Sequence, residues 1–255
     1  MLTQPNIAVP AVLISIYGFG GTATSFVLPD YLTRVQNLRA LQIGDVLNWI
    51  VLPQFVLVPL ATLLLKRIDA RILIAFGFVM IAIGSWIDAG LTHDWAGDDF
   101  IISQLISAVG LAFAITALIT FAVANITPPL AAAMATTIQV ARLLGNEIGS
   151  AVIQTLVRVR EQVYSNLIGL HVISGLASTE QTTAQLASPF GNRATGIGDP
   201  AVQGAGVLAD FVRREALSYI DAFWLTAWVS LLGILLILLL RPPPPNPMIP
   251  SRGAS

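Results

Sequence analysis

The chain has 255 residues, 55% of them hydrophobic and 11% charged, with a mean hydropathy of +0.78. An average soluble domain is about 25% charged, so the polar groups here are too few to coat a globule, which excludes a cytosolic enzyme domain. The 13 Lys and Arg against 14 Asp and Glu leave a formal charge of −1, with no global field to draw in nucleic acid. The lack of cysteine removes disulfides, thiolate metal sites and a thiol nucleophile, and His93 and His171 are too far apart in sequence to build a metal cluster from one neighbourhood.

A bilayer core about 30 Å thick needs roughly 20 apolar residues in a helix, and six stretches meet that length. Helix A runs from about Ile7 to Leu32 with no charge before Asp30, and helix B from about Val46 to Leu65 with none. Helix C, Ile72 to Leu91, is interrupted only by Asp88 near its end, and helix D, Phe100 to about Ile126, is uncharged. Helix E, about Leu130 to Val157, carries Arg142 and Glu147 midway, and helix F, about Ala222 to Leu240, stops at Arg241 and a run of four prolines. An unpaired backbone group in hydrocarbon costs several kcal/mol, and the stretches lack the alternation of barrel strands. The expected fold is therefore an all-α integral membrane protein of six transmembrane helices. The N-terminus has no basic region before its first apolar stretch, which is longer than a signal core, so helix A is expected to be retained.

The densest basic cluster, Lys66, Arg67 and Arg71, falls in the tight B–C turn and makes that turn cytoplasmic. The acidic C–D loop, His93 to Asp99, then lies outside, and an even number of spans returns both termini to the cytoplasm. Arg34, Arg39, Arg158 and Arg160 run against this assignment. The chain divides into helices A to E over residues 1–157, an extracytoplasmic loop over 158–217, helix F over 218–241 and a proline-rich cytoplasmic tail over 242–255. The loop opens with Val159, Val163, Leu167 and Leu170 on one helical face and closes with Val207, Leu208, Phe211 and Val212, a pattern for amphipathic helices on the interface. Its centre, about Gly175 to Gly204, has too few large apolar residues for a core.

Helix E holds the residue types that carry chemistry. Ala141, Gly145 and Gly149 recur every four residues and make a face that lets another backbone approach closely. Arg142 at mid-helix costs about 2.5 to 3.5 kcal/mol on insertion scales and so faces a cavity or a partner. Asn146 and Gln139 share its face, a polar stripe fit to line a central path or to tie helices together. Glu147 is about 140° around the helix from Arg142 and is a candidate proton carrier if buried. Tyr17, Thr22, Thr24 and Ser25 on helix A, Asn48, Trp49 and Gln54 on helix B, and Gln104, Thr116 and Thr120 on helix D are further polar groups at membrane depth. For each one alone, interhelical hydrogen bonding or interfacial anchoring is the leading expectation. Asn48, Phe55 and Pro59 share one face of helix B with Trp49 at its border, a possible mixed polar and aromatic wall. Gly18, Gly20 and Gly21, with Pro10 and Pro29, make helix A either bendable or closely packed. The run Gly18-Phe19-Gly20-Gly21 lacks the rest of a phosphate-binding loop. No nucleophile elbow or zinc-protease motif is present, so no enzyme activity, cofactor or metal is expected.

The order of these features resembles the C-terminal half of a major facilitator superfamily transporter, in the fourteen-span drug:proton antiporter branch. Leu28-Pro29-Asp30-Tyr31-Leu32 is similar to that branch's Leu-Pro-x-Tyr-Leu, and Lys66-Arg67-Ile68-Asp69-Ala70-Arg71 stands at its charged cytoplasmic turn. Ala131 to Gly149 resembles its Ala-Ala-x-x…Arg-x-x-Gly-x-x-Gly helix, followed by Arg158-Val159-Arg160-Glu161-Gln162. The resemblance implies one half-bundle of a major facilitator fold working by alternating access. It assigns Arg142, Gly145 and Gly149 to the family helix, and Asp69 with Arg71 to the latching turn. It also implies a bacterial inner-membrane location, a small amphipathic substrate and proton-driven efflux. The turn lacks the family's leading glycine, Asp30 replaces an uncharged residue, and Glu147 stands where a small one is usual. The matching N-terminal half is missing, so the expected partners are the lipid bilayer and either that six- or eight-span half or a second copy, with a truncated fragment as the leading expectation. The alternative is a structural or accessory membrane protein that transports nothing.

Overall fold

The computed structural model describes residues 5–92, 95, 97–124, 131–173, 200–238 and 240, with side chains described from residue 8 onward except at 131 and 164–216. The fold is all-helical among these residues. Helix α1 covers Pro5–Thr22 and passes through a π-helical segment, Ala23–Val27, into α2, Leu28–Arg34. Helices α3 (Ala40–Leu64), α4 (Ala70–Asp88) and α5 (Ile101–Ala124) follow, with a short 3₁₀ turn at Gly97–Phe100 before α5. Helix α6 spans Ala131–Ile173 and α7 spans Pro200–Ile237.

Five of these helices are long and apolar enough to cross a bilayer: Ala8–Arg34, Ala40–Leu64, Ala70–Asp88, Gly97–Ala124 and Leu217–Ile237. The chain is a multi-pass membrane protein. Helix α6 falls short of that apolar standard because Gln139, Arg142, Asn146 and Glu147 interrupt its N-terminal half. It is nevertheless continuous: Val159 and Val163, expected on a separate interfacial helix, extend it without a break. At 1.5 Å per residue its 43 residues reach about 65 Å, twice a hydrocarbon core. Most of the loop centre, residues 174–199, and the tail from 241 lie outside the described residues.

The irregularity in the first span has a local cause. Pro29 has no N–H to give to the carbonyl of Ser25, and its ring crowds that turn. The backbone widens by one residue, and the Leu28 N–H bonds the Ala23 carbonyl, five back. The irregularity therefore sits at Ala23–Val27, just past the Gly18–Gly21 run. Helix α2 ends near Asn37, whose φ of +52° turns the chain toward α3.

Two seams organise the bundle. Helices α4 and α5 run antiparallel with Gly77 opposite Ala114 and Gly84 opposite Ser107, so close that a Cβ on Gly77 would stand 2.6 Å from the Ala114 nitrogen. The second seam joins α1 to α6, where Gly18 meets the backbone of Arg142 and Asn146 and Gly145 meets the backbone of Ser15. Helix α7 packs along α4, where the rings of Trp86 and Trp224 are 4.3 Å apart, and also touches α1 and α6. Helix α3 leans on α5 and buries only Val46, Ile50 and Ala61. A hydrogen-bonded clamp closes one end of the bundle. The Tyr31 hydroxyl reaches the carbonyls of Thr92 (3.0 Å) and Trp95 (3.3 Å), and the Tyr219 hydroxyl donates to Asp30 at 2.7 Å. At the opposite end the Asp69 carboxylate caps α4 by accepting from the Arg71 N–H at 3.1 Å.

Candidate functional site

Helix α6 presents two faces with different chemistry. Met134, Ile138, Ala141, Gly145, Gly149, Ile153 and Val157 are buried, at the i, i+3, i+4 spacing of one helical stripe. Gly149 continues the seam against Phe19 and Thr22, where a Cβ would come within 2.7 Å of the threonine methyl. The expected small-residue face is thus the one turned to α1, and Gly18 supplies its counterpart there.

The polar residues occupy the rest of the circumference. Arg142 and Gln139 are exposed and share a hydrogen bond in which the guanidinium Nε donates to the amide oxygen at 3.1 Å. Asn146 is half-buried beside them, and the Ser25 hydroxyl of the π segment donates to its side-chain oxygen at 3.4 Å. The Tyr17 ring lies on the neighbouring helix within electrostatic range of the Arg142 charge. Tyr17, Ser25, Gln139, Arg142 and Asn146 therefore form one polar ridge along the α1–α6 contact. Glu147 is exposed on the far side of α6 and belongs to no part of it.

Other residues expected at a site lie elsewhere. Asn48 and Trp49 are exposed on α3, a helix that does not pack on α6, and Phe55 and Pro59 of the same face are exposed too. Trp49 instead borders a shallow cleft with Gln42, Asp45 and Asp98 near the Tyr31 clamp. Lys66 and Arg67 are exposed in the turn before α4. Arg71 is half-buried there, and its Nε and one terminal nitrogen have no partner among the described residues. No group of three His, Asp or Glu side chains among the described residues converges on one point that could hold a metal.

No protein-family model matches this chain, and no curated protein matches it. The residues themselves therefore carry the functional reading. Sequence reasoning named Asp88 and Gln104 separately and joined them in no site, whereas the structure brings them into one seam. Asp88, at the end of α4, is 2% exposed and has a carboxylate oxygen without a partner, and Gln104 on α5 is 1% exposed with both amide atoms unpartnered. The available signal was the recurrence of Ser103, Gln104 and Ser107 in the first turns of an otherwise apolar helix, one span after a lone aspartate.

Proposed function

We propose that this chain is one helical bundle of a membrane transporter that moves small amphipathic molecules, completed by an opposing bundle from a second copy or a separately encoded partner. In this reading α6 is a sixth span, the membrane is a bacterial inner membrane, and the proton gradient drives efflux, as the resemblance to the drug:proton antiporters of the major facilitator superfamily implies. One observation carries the proposal: between residues 139 and 147 of α6 a guanidinium and an amide stand exposed, a second amide is half-buried beside them and a carboxylate is exposed further round the helix, while the Gly145 face is sealed on α1. Lipid solvates none of these groups well, and an arginine at bilayer depth turns to a wet cavity or to protein. An opposing bundle across a water-filled path supplies both. The polar ridge then lies along that path, with Arg142 and Tyr17 meeting a substrate's polar end and neighbouring apolar surface meeting the rest.

The non-transporting alternative has its own support in the Arg142–Gln139 bond, which satisfies part of the guanidinium within one helix. The test is dye efflux from cells stripped of their own pumps, measured before and after collapse of the proton gradient. The chain is expressed alone and with the product of any adjacent reading frame that encodes further spans. Gradient-dependent efflux that Arg142→Ala abolishes, with membrane insertion unchanged, is the expected result. Efflux of wild-type rate in that variant returns Arg142 to a structural role, and no efflux in either expression removes transport.

A further inference from the structure

The α4–α5 seam contains a second polar site with no part in the reading above. The antiparallel register that sets Gly77 against Ala114 and Gly84 against Ser107 brings Asp88 opposite Ser103, whose hydroxyl is within hydrogen-bond reach of the carboxyl group. Ser85, Ser103, Gln104 and Ser107 are all buried here, between 0% and 6% exposed. Their hydrogen bonds do not balance. The single Ser103 proton is shared between two acceptors, the Asp88 carboxyl group and the Phe100 carbonyl 3.0 Å away. The second carboxylate oxygen of Asp88 and both amide atoms of Gln104 have no partner. A buried acceptor left this way costs about 1 to 3 kcal/mol, and a buried bare charge costs more.

Nothing described in the chain neutralises that charge. Helix α5 has no titratable residue, and the Asp98 and Asp99 that precede it are exposed and acidic. On α4 the other charge is Arg71, about 25 Å away along the helix. Within Leu217–Ile237 the titratable groups are Tyr219, which donates to Asp30, and Asp221, which pairs with Arg160 at 3.0 Å. On α2, Arg34 is held by Asp30 at 3.0 Å. Around Asp88 the described groups are the serine hydroxyls and the Gln104 amide, with no positive charge; the unpartnered carboxylate and amide oxygens are ligands that suit a small hard cation.

We infer that Asp88 and the α5 oxygens opposite it form a site for a small monovalent cation, a proton or a sodium ion, held out of water between α4 and α5. The occupant offsets the carboxylate charge, and the site lies one turn from exposed Gly90 and Thr92, a short route to the aqueous side. The inference is independent of whether the chain transports anything.

The test compares the apparent unfolding midpoint of the purified full chain with that of Asp88→Asn, in sodium chloride and in choline chloride of equal strength, from acid to alkaline pH. A sodium site raises the wild-type midpoint in sodium by about 3 °C or more and leaves the variant unmoved. A proton site shows no sodium effect. Instead the wild type loses stability relative to the variant as pH rises, because the folded state then gives up a proton it needs. Matching responses of the two proteins to both sodium and pH, or no response in either, overturn the inference. If Asp88→Asn is not recovered folded, Ser103→Ala takes its place, and sodium and pH responses identical in size and position to wild type overturn it equally.

Discussion

The two close-packed seams begin from the same device and end differently. Both bring backbones together by omitting side chains, at Gly77 and Gly84 between α4 and α5 and at Gly18, Gly145 and Gly149 between α1 and α6. Between α4 and α5 the polar groups are shut inside, as Ser103, Gln104 and Asp88 have almost no exposed surface. Along α1 and α6 the backbones touch and Arg142 and Gln139 stand beside the contact in the open. A small-residue face thus settles which helices touch and says little about where charge goes. Charge placement follows from what covers the other side of each helix: α5 lies between α3 and α4, whereas α6 packs on α1 and α7 and leaves its Arg142 side uncovered.

The largest effect is expected where the second seam is tightest. Gly145→Leu drives a branched side chain into the Ser15 backbone, which cannot yield as a flexible side chain can. Most folded protein should be lost in detergent size-exclusion profiles, whereas Gly21→Ala, with nothing within 4 Å of the added carbon, elutes like wild type. Equal yields from the two would mean that α1 and α6 do not pack as described. A smaller effect follows at the clamp, where Tyr219→Phe removes the 2.7 Å bond to Asp30 from a fully buried ring, at a cost of about 1 kcal/mol. The apparent midpoint should fall by a few degrees, and Asp30→Asn in the same background should add little further loss through that bond. The smallest belongs to Arg160→Ala. Its pair with Asp221 is 3.0 Å long, but the arginine side chain is 46% exposed, so the loss stays below about 1 kcal/mol and vanishes at high salt.

Helix positions were legible because apolar runs of spanning length leave the backbone few alternatives. The Ala141, Gly145 and Gly149 stripe was legible as one face for the same reason, since spacing of four is a direct statement about one face, but which helix it meets was not. Less local matters were hidden. Nothing in the residues of helix B distinguishes a wall that lines a path from one that faces outward, and the position of Asn48, Trp49 and Phe55 depends on α3 lying at the edge of the bundle. Asp88 reads in sequence as a charge near a span's end, where water is ordinarily close. Its burial comes from the antiparallel register of α5, set by the close approaches at Gly77 and Gly84 on the same helix. The continuous course of α6 beyond Val157 was obscured because a spanning segment and an amphipathic one meet there without a break in helical residues.

The central claim is that the exposed face of α6 at Arg142 and Glu147 looks onto water or protein and not onto acyl chains. Because the chain has no cysteine, single cysteines at positions 142, 147 and, as a control, exposed Phe55 on α3 can be placed without background. Spin labels at these sites in bilayers report collisions with a polar nickel chelate against collisions with oxygen, which concentrates in lipid. The account predicts chelate-accessible or protein-shielded labels at 142 and 147 and an oxygen-dominated label at 55. Oxygen-dominated collisions at 142 and 147 equal to those at 55 would contradict it.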